Sequence, residues 1–93
     1  MDNDQVMNAV VNKLQELGIE ATYEYPGYIL VSMNGASEFH IGPANDRWGW
    51  NQVDHNGDEF ESGEWTIAGD SQDVDAIVEE IVILIKLSAE VNQ

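Results

Sequence analysis

The sequence predicts an α+β fold: an antiparallel sheet of four to five strands, with N- and C-terminal helices packed on one face. Three observations predict it. Apolar residues recur at helical spacing as far as Leu17, the period changes to two from Glu20 to Ala68, and helical spacing returns from Val74. The middle stretch is punctuated by Pro26-Gly27, Asn34-Gly35 and Asn56-Gly57, all turn-forming pairs. With 93 residues, the chain is expected to form a single domain.

The first helix is expected over Asp4 to Leu17. Val6, Met7, Val10, Val11, Leu14 and Leu17 fall on one face of it. Asp2 or Asn3 caps its start, and Asp2 followed by Gln5 has the spacing of a capping box. Gly18 ends it in the left-handed conformation, with Ile19 packing back.

Strands are expected at Ala21 to Tyr25 and Tyr28 to Met33, flanking Pro26-Gly27. That order suits a type II turn, whose twist matches a hairpin poorly, so a bulge or wider loop is expected. Asn34-Gly35 suits a two-residue hairpin turn. Such a turn sets Met33 opposite Ala36, Leu30 opposite Phe39 and Tyr28 opposite Ile41. Tyr28, Leu30, Phe39 and Ile41 then form the core face. Ile29, Val31 and Met33 fall on the other face, which needs a cover or a partner.

Gly42 to Asp46 reads as a loop by composition. Arg47 to Asp54 and Glu59 to Ala68 form a further hairpin, closed at Asn56-Gly57. A strict two-residue loop sets Val53 opposite Phe60 and Trp48 opposite Trp65, on opposite faces. Either both faces are partly apolar, or Gly63 marks a bulge that switches sides.

The final helix is expected from Asp70 or Ser71 to about Glu90, with Asp70, Asp73 and Asp75 in its favourable first turn. The run Ile81 to Ile85 has strand propensity, but the periodic lead-in from Val74 favours helix. Val82, Ile83 and Leu87 widen the apolar stripe beyond one face. Either the first helix covers them or a homodimer does. A monomer is favoured, because two subunits of charge −15 repel and a small domain needs its first helix as a lid. The expected core is Val6, Val10, Leu14, Leu17, Leu30, Phe39, Ile41, Trp48, Ile67, Val74, Ile77, Ile81 and Leu84.

Charge narrows function more than any motif does. Eighteen Asp and Glu face three Lys and Arg, giving a net charge of −15. Such a chain is repelled by nucleic acid and by anionic membranes, so neither is expected as a direct partner. No apolar run approaches the ~20 residues that span a bilayer. The opening Met-Asp-Asn-Asp has no basic region of the secretory kind. The absence of Cys excludes disulfides and thiolate chemistry and fits a cytoplasmic setting.

Between Asp54 and Glu80 there are ten carboxylates, and no Lys or Arg occurs from Trp48 to Ile85. A solvated acidic face is the simpler reading, but solubility needs a net charge of only about 2–8 for a small domain. The functional reading is a surface that docks onto a basic, nucleic-acid-binding protein. Its candidate residues are Asp54, Asp58, Glu59, Glu61, Glu64, Asp70 and Asp73. Asp54-His55-Asn56-Gly57-Asp58-Glu59 has the alternating oxygens of a calcium loop. Glu59 stands where that loop needs Gly, and Trp65 where it needs a bidentate Glu, so no metal is expected.

No catalytic residues and no cofactor are expected. His40 and His55 lack a nucleophile motif, Gly42 to Gly49 lacks phosphate-loop spacing, and carboxylate pairs are inevitable among eighteen. The aromatics Trp48, Trp50, Trp65, Tyr23, Tyr25 and Tyr28 read first as core packing. Exposed anchors for a protein partner are the alternative.

Glu24-Tyr25-Pro26-Gly27-Tyr28-Ile29, followed by Asn45-Asp46-Arg47-Trp48-Gly49-Trp50, resembles segments of small phage-encoded proteins. The size and acidity are similar to those of phage inhibitors of bacterial defence, including anti-CRISPR and anti-restriction DNA mimics. The resemblance implies a mode of action: a non-enzymatic inhibitor, in the host bacterial cytoplasm, that blocks the nucleic-acid site of a defence complex. Immunity proteins that neutralise nuclease toxins are equally similar in size and charge. A small acidic structural or assembly protein is a further alternative, and a carboxylate hydrolase the least favoured.

Overall fold

The computed structural model describes residues 2–24, 27–33, 37–44 and 46–91. The chain runs α1 (Asn3–Glu16), β1 (Ala21–Glu24), β2 (Tyr28–Met33), β3 (Ser37–Ala44), β4 (Arg47–Asp54), β5 (Glu59–Ala68) and α2 (Val74–Val91). The strands form one antiparallel meander in the order β1-β2-β3-β4-β5, so β1 and β5 are its edges. This is the α+β architecture the periodicities predict. Asn34-Gly35 and Pro26 lie outside the described residues. Gly27 takes no positive φ and its N–H reaches Glu24 O, so it ends the β1–β2 turn and does not hold the third position of a type II turn. Three residues separate Glu24 from Tyr28, the wider loop expected.

Both ends of α1 follow from local chemistry. Asp2 accepts from the Gln5 backbone N–H while the Gln5 side chain accepts from Asp2 N, completing the capping box. At the other end Gly18 takes φ +80°, and its N–H reaches Gln15 O. Ile19 N–H reaches Leu14 O, which completes a Schellman termination, and Ile19 packs on the core. Leu17 lies at the cap itself and is 61% exposed, so it drops out of the expected core.

The β2–β3 register corrects the hairpin expectation by one residue. Met33 pairs with Ser37, Val31 with Phe39 and Ile29 with Ile41, leaving three residues between the strands rather than two. Alternating side chains make that slip flip β2 entirely. Ile29 and Val31 are therefore fully buried with Phe39 and Ile41 beneath the helices. Leu30 and Tyr28 turn to the opposite face and are half-buried. Ile29 and Val31 leave the second face with this correction.

The β4–β5 pairing departs from the strict loop as well. Asp54 Oδ1 accepts from the N–H groups of Asn56 and Asp58, and Gly57 takes φ +84°. Val53 consequently pairs with Glu59, not Phe60. Gln52 pairs with Glu61, so Phe60 is an extra residue at a bulge. A second irregularity lies between Gly49–Glu64 and Arg47–Ala68, which breaks the expected Trp48–Trp65 pairing. Gly63 is no switch point in itself. It pairs with Trp50, whose indole lies 2.8–2.9 Å from where a Gly63 Cβ would stand.

Asp73, not Asp70 or Ser71, starts α2: its Oδ1 accepts from Ala76 N–H, as an N-cap does. Asp70 lies in the preceding loop. Ile77, Val78 and Ile81 are buried from α2, and Val6, Met7, Val10, Val11 and Leu14 from α1. Val82, Leu84 and Ile85 are partly buried against that core. Ile83 and Leu87 remain 44% and 55% exposed, so α1 covers only part of the surplus apolar stripe. Of the remaining expected core, Trp48 is buried, while Ile67 and Val74 pack at its margin.

Candidate functional site

The seven expected carboxylates follow β5 from end to end instead of forming one patch. Asp54, Asp58 and Glu59 gather at the β4–β5 hairpin tip. Glu61 is opposite Gln52 on the helix side of the sheet, whereas Glu64 is opposite Gly49 on the other side. Asp70 and Asp73 follow the far end of β5, about 30 Å away for an extended strand of 10 residues. Two of the seven have local bonding that explains them: Asp54 closes the hairpin loop, and Asp73 caps α2. Asp58, Glu59, Glu61 and Glu64 are exposed and carry no such local task as acceptors.

No described carboxylate is buried. Glu38, Asp54 and Glu80 are half-buried and the others exposed, while Gln52 is the buried polar side chain among the described residues. Two of the three cations sit away from the hairpin tip. Arg47 is beside Ala68 at the opposite end of β5, and Lys13 of α1 bridges to Asp75 of α2 at 2.8 Å. The hydrogen bond and charge of Asp75 raise the Lys13 pKa above the ordinary lysine value. A raised pKa favours the folded state below the unfolded value, and this is lost only as pH climbs through the folded one. The contact is thus fully present at neutral pH, although both partners are too exposed for it to matter much.

Repulsion therefore outweighs attraction, and salt should stabilise this fold. Raising ionic strength from about 0.01 M to about 0.15 M shortens the screening length from ~30 Å to ~8 Å. Tm is expected to rise by on the order of 5 °C, corresponding to about 1 kcal/mol in a domain of this size. Thermal melts followed by circular dichroism check this. A fall in Tm with salt would mean that ion pairs dominate.

Two of the depressions among the described residues lie on opposite sides of the sheet. On the side away from the helices, Tyr28 and His40 stack with ring centroids 4.5 Å apart, beside a floor formed by Gly42 and Gly49. His40 Nε2 lies 3.1 Å from Glu38 Oε1, so its ring is already engaged on an edge and a face. His55 is exposed in the hairpin loop. The second depression is a groove of about 380 Å³ between α2 and β5, with Phe39, Trp50 and Gln52 as its floor. Phe60 and Glu61 form one wall, and Leu84 and Leu87 the other.

Gln52 sets the position of α2 over the sheet. Its Nε2 donates to Ser37 Oγ at 3.0 Å and to Ser88 Oγ at 3.4 Å, tying the end of the helix to β3 and β4. Phe39 and Trp50 meet edge to face at 5.6 Å beneath it. The helix thus stops short of β5, and Phe60 stays 55% exposed. Sequence reasoning missed this groove. Its one available signal was Phe60, an aromatic residue between Glu59 and Glu61.

Comparison with protein-family models, with curated proteins and with solved structures finds no match for this chain. Among the described residues no group of three His, Asp or Glu is placed to hold a metal ion. Among the described residues no helix is long and apolar enough to cross a membrane.

Proposed function

We propose that this protein is a non-enzymatic acidic inhibitor that binds a basic, nucleic-acid-binding protein and competes for its phosphate-binding surface. The observation that carries this reading is the placement of the carboxylates: none of those described is buried, and a cation-free group of them lies along the β4–β5 hairpin. A carboxylate hydrolase needs at least one acid desolvated in a pocket to raise its pKa. A competitor for phosphate sites needs its acids in water and facing outward. Asp58, Glu59, Glu61 and Glu64 meet the second requirement. Their carboxylates pair with Lys and Arg that otherwise hold phosphate, through charge-assisted hydrogen bonds. Steering by the net charge makes association fast at low salt.

The phage anti-defence mode, acting in the host cytoplasm on a CRISPR or restriction complex, is the form of this reading suggested by size, acidity and the resemblance of the middle segments. Neutralisation of a nuclease toxin by the same surface is the second form.

The test is competition. The chain is immobilised, nuclease-treated bacterial lysate is passed over it at low and moderate salt, and each retained protein is assayed for binding to labelled DNA or RNA. A retained protein that loses its nucleic acid when the chain is added supports the proposal. The Glu59→Gln/Glu61→Gln/Glu64→Gln variant should then weaken the competition by about tenfold or more. Retention of no nucleic-acid-binding protein at either salt, or equal competition by that variant, counts against it.

A further inference from the structure

We propose that the groove between α2 and β5 is the seat of a basic amphipathic segment of the partner protein, whose apolar side chains enter the groove while its Lys or Arg residues meet the acidic rim. The inference rests on the proposed function and says where the partner's non-polar contact is made. The groove is not a remnant of loose packing. Its floor is fixed by the Phe39–Trp50 edge-to-face pair and by Gln52, whose two hydrogen bonds hold α2 at its present distance. What remains open is a continuous apolar strip, with Phe60 and Leu87 each 55% exposed on facing walls. An apolar strip rimmed by polar groups marks an interaction site.

Charge selects the occupant. Glu61 belongs to the β5 wall, and Glu80 stands one turn before Leu84 on α2. No Lys or Arg lines the groove. Lys86, the cation of that part of α2, lies about 160° around the helix from Leu84 at 100° per residue, and so faces away. A second copy of this chain would bring the same glutamates together across the contact, with −15 on each subunit. A basic segment satisfies the apolar walls and the acidic rim together. Aromatic anchors that are desolvated at the centre of an interface dominate its energy, which assigns Phe60 and Trp50 to that role.

The probe is a synthetic peptide with Leu and Lys at amphipathic helical spacing, beside a scrambled peptide of identical composition. Each is titrated into the full-length chain, with backbone amide shifts as the readout. The amphipathic peptide should shift residues around Phe60, Glu61 and Leu87. Leu87→Glu and Glu61→Lys alter exposed side chains and should each weaken binding by about tenfold or more. Glu24→Lys, on the other side of the sheet and outside the acidic surface, should change it by less than about threefold. Absence of binding, equal binding of the scrambled peptide, or shifts centred on the Tyr28–His40 face overturns the proposal. So does a concentration-dependent dimer in sedimentation that is lost in Leu87→Glu, since a second copy would then be the occupant. If Leu87→Glu competes undiminished with nucleic acid for a captured target, the groove assignment fails while the inhibitor reading stands. If the peptide seats in the groove but the chain displaces no nucleic acid from any target, the reverse holds.

Discussion

Ile29→Ala and Phe39→Ala should each remove a large part of the stability of this domain. Both side chains are completely buried on the helix side of the sheet. Truncation costs about 2–5 kcal/mol for Ile and about 3–5 kcal/mol for Phe, through lost burial and the cavity left behind. A domain of this size holds roughly 5–15 kcal/mol in total. Leu30→Ala, one residue along and on the opposite face, should cost about 1 kcal/mol or less, because its side chain is only half-buried. Urea denaturation of the three variants gives the comparison. Equal losses at Ile29 and Leu30 would mean that the β2–β3 register is not the one described.

Gly49→Ala is expected to be costly for a different reason. A methyl group there would stand 2.9 Å from the Gly63 carbonyl oxygen, which belongs to the backbone of β5 and cannot rotate away. Overpacking of this kind costs about 1–3 kcal/mol. Gly27→Ala, where no atom lies within 4 Å of the added carbon, should be nearly neutral and serves as the control. Denaturant melts of both variants decide the matter. A neutral Gly49→Ala would show that β5 moves freely relative to β4, and hence that the carboxylates along it are not held in a fixed array.

These contrasts mark where the sequence was readable. Helical periods, caps and the meander order come from chemistry within a few residues, and Asp2, Gln5 and Gly18 act as their types dictate. Register was not readable. Asn34-Gly35 favours a two-residue turn, yet burying Ile29 and Val31 with Phe39 and Ile41 outweighs that preference once two helices cover one face. The acidic surface was visible as composition, but its division between the two sides of β5 depends on the bulge at Phe60. The groove was invisible because it depends on where α2 comes to rest, a distance fixed by Gln52 and Ser88, which are 36 positions apart.

The bulged β5 also guards against a hazard common to open sheets. A long edge strand offers unpaired backbone groups on which further chains can stack into fibres. Here the edge is irregular at two places and bears Glu59, Glu61 and Glu64, so an incoming copy meets both a poor template and like charge. That protection is electrostatic in part, and therefore conditional. With Glu59, Glu61 and Glu64 replaced by Gln, β5 becomes a ten-residue edge carrying Phe60, Trp65 and Ile67 without its repelling charges. The strand whose charges repel a second copy would then be the place where fibres start.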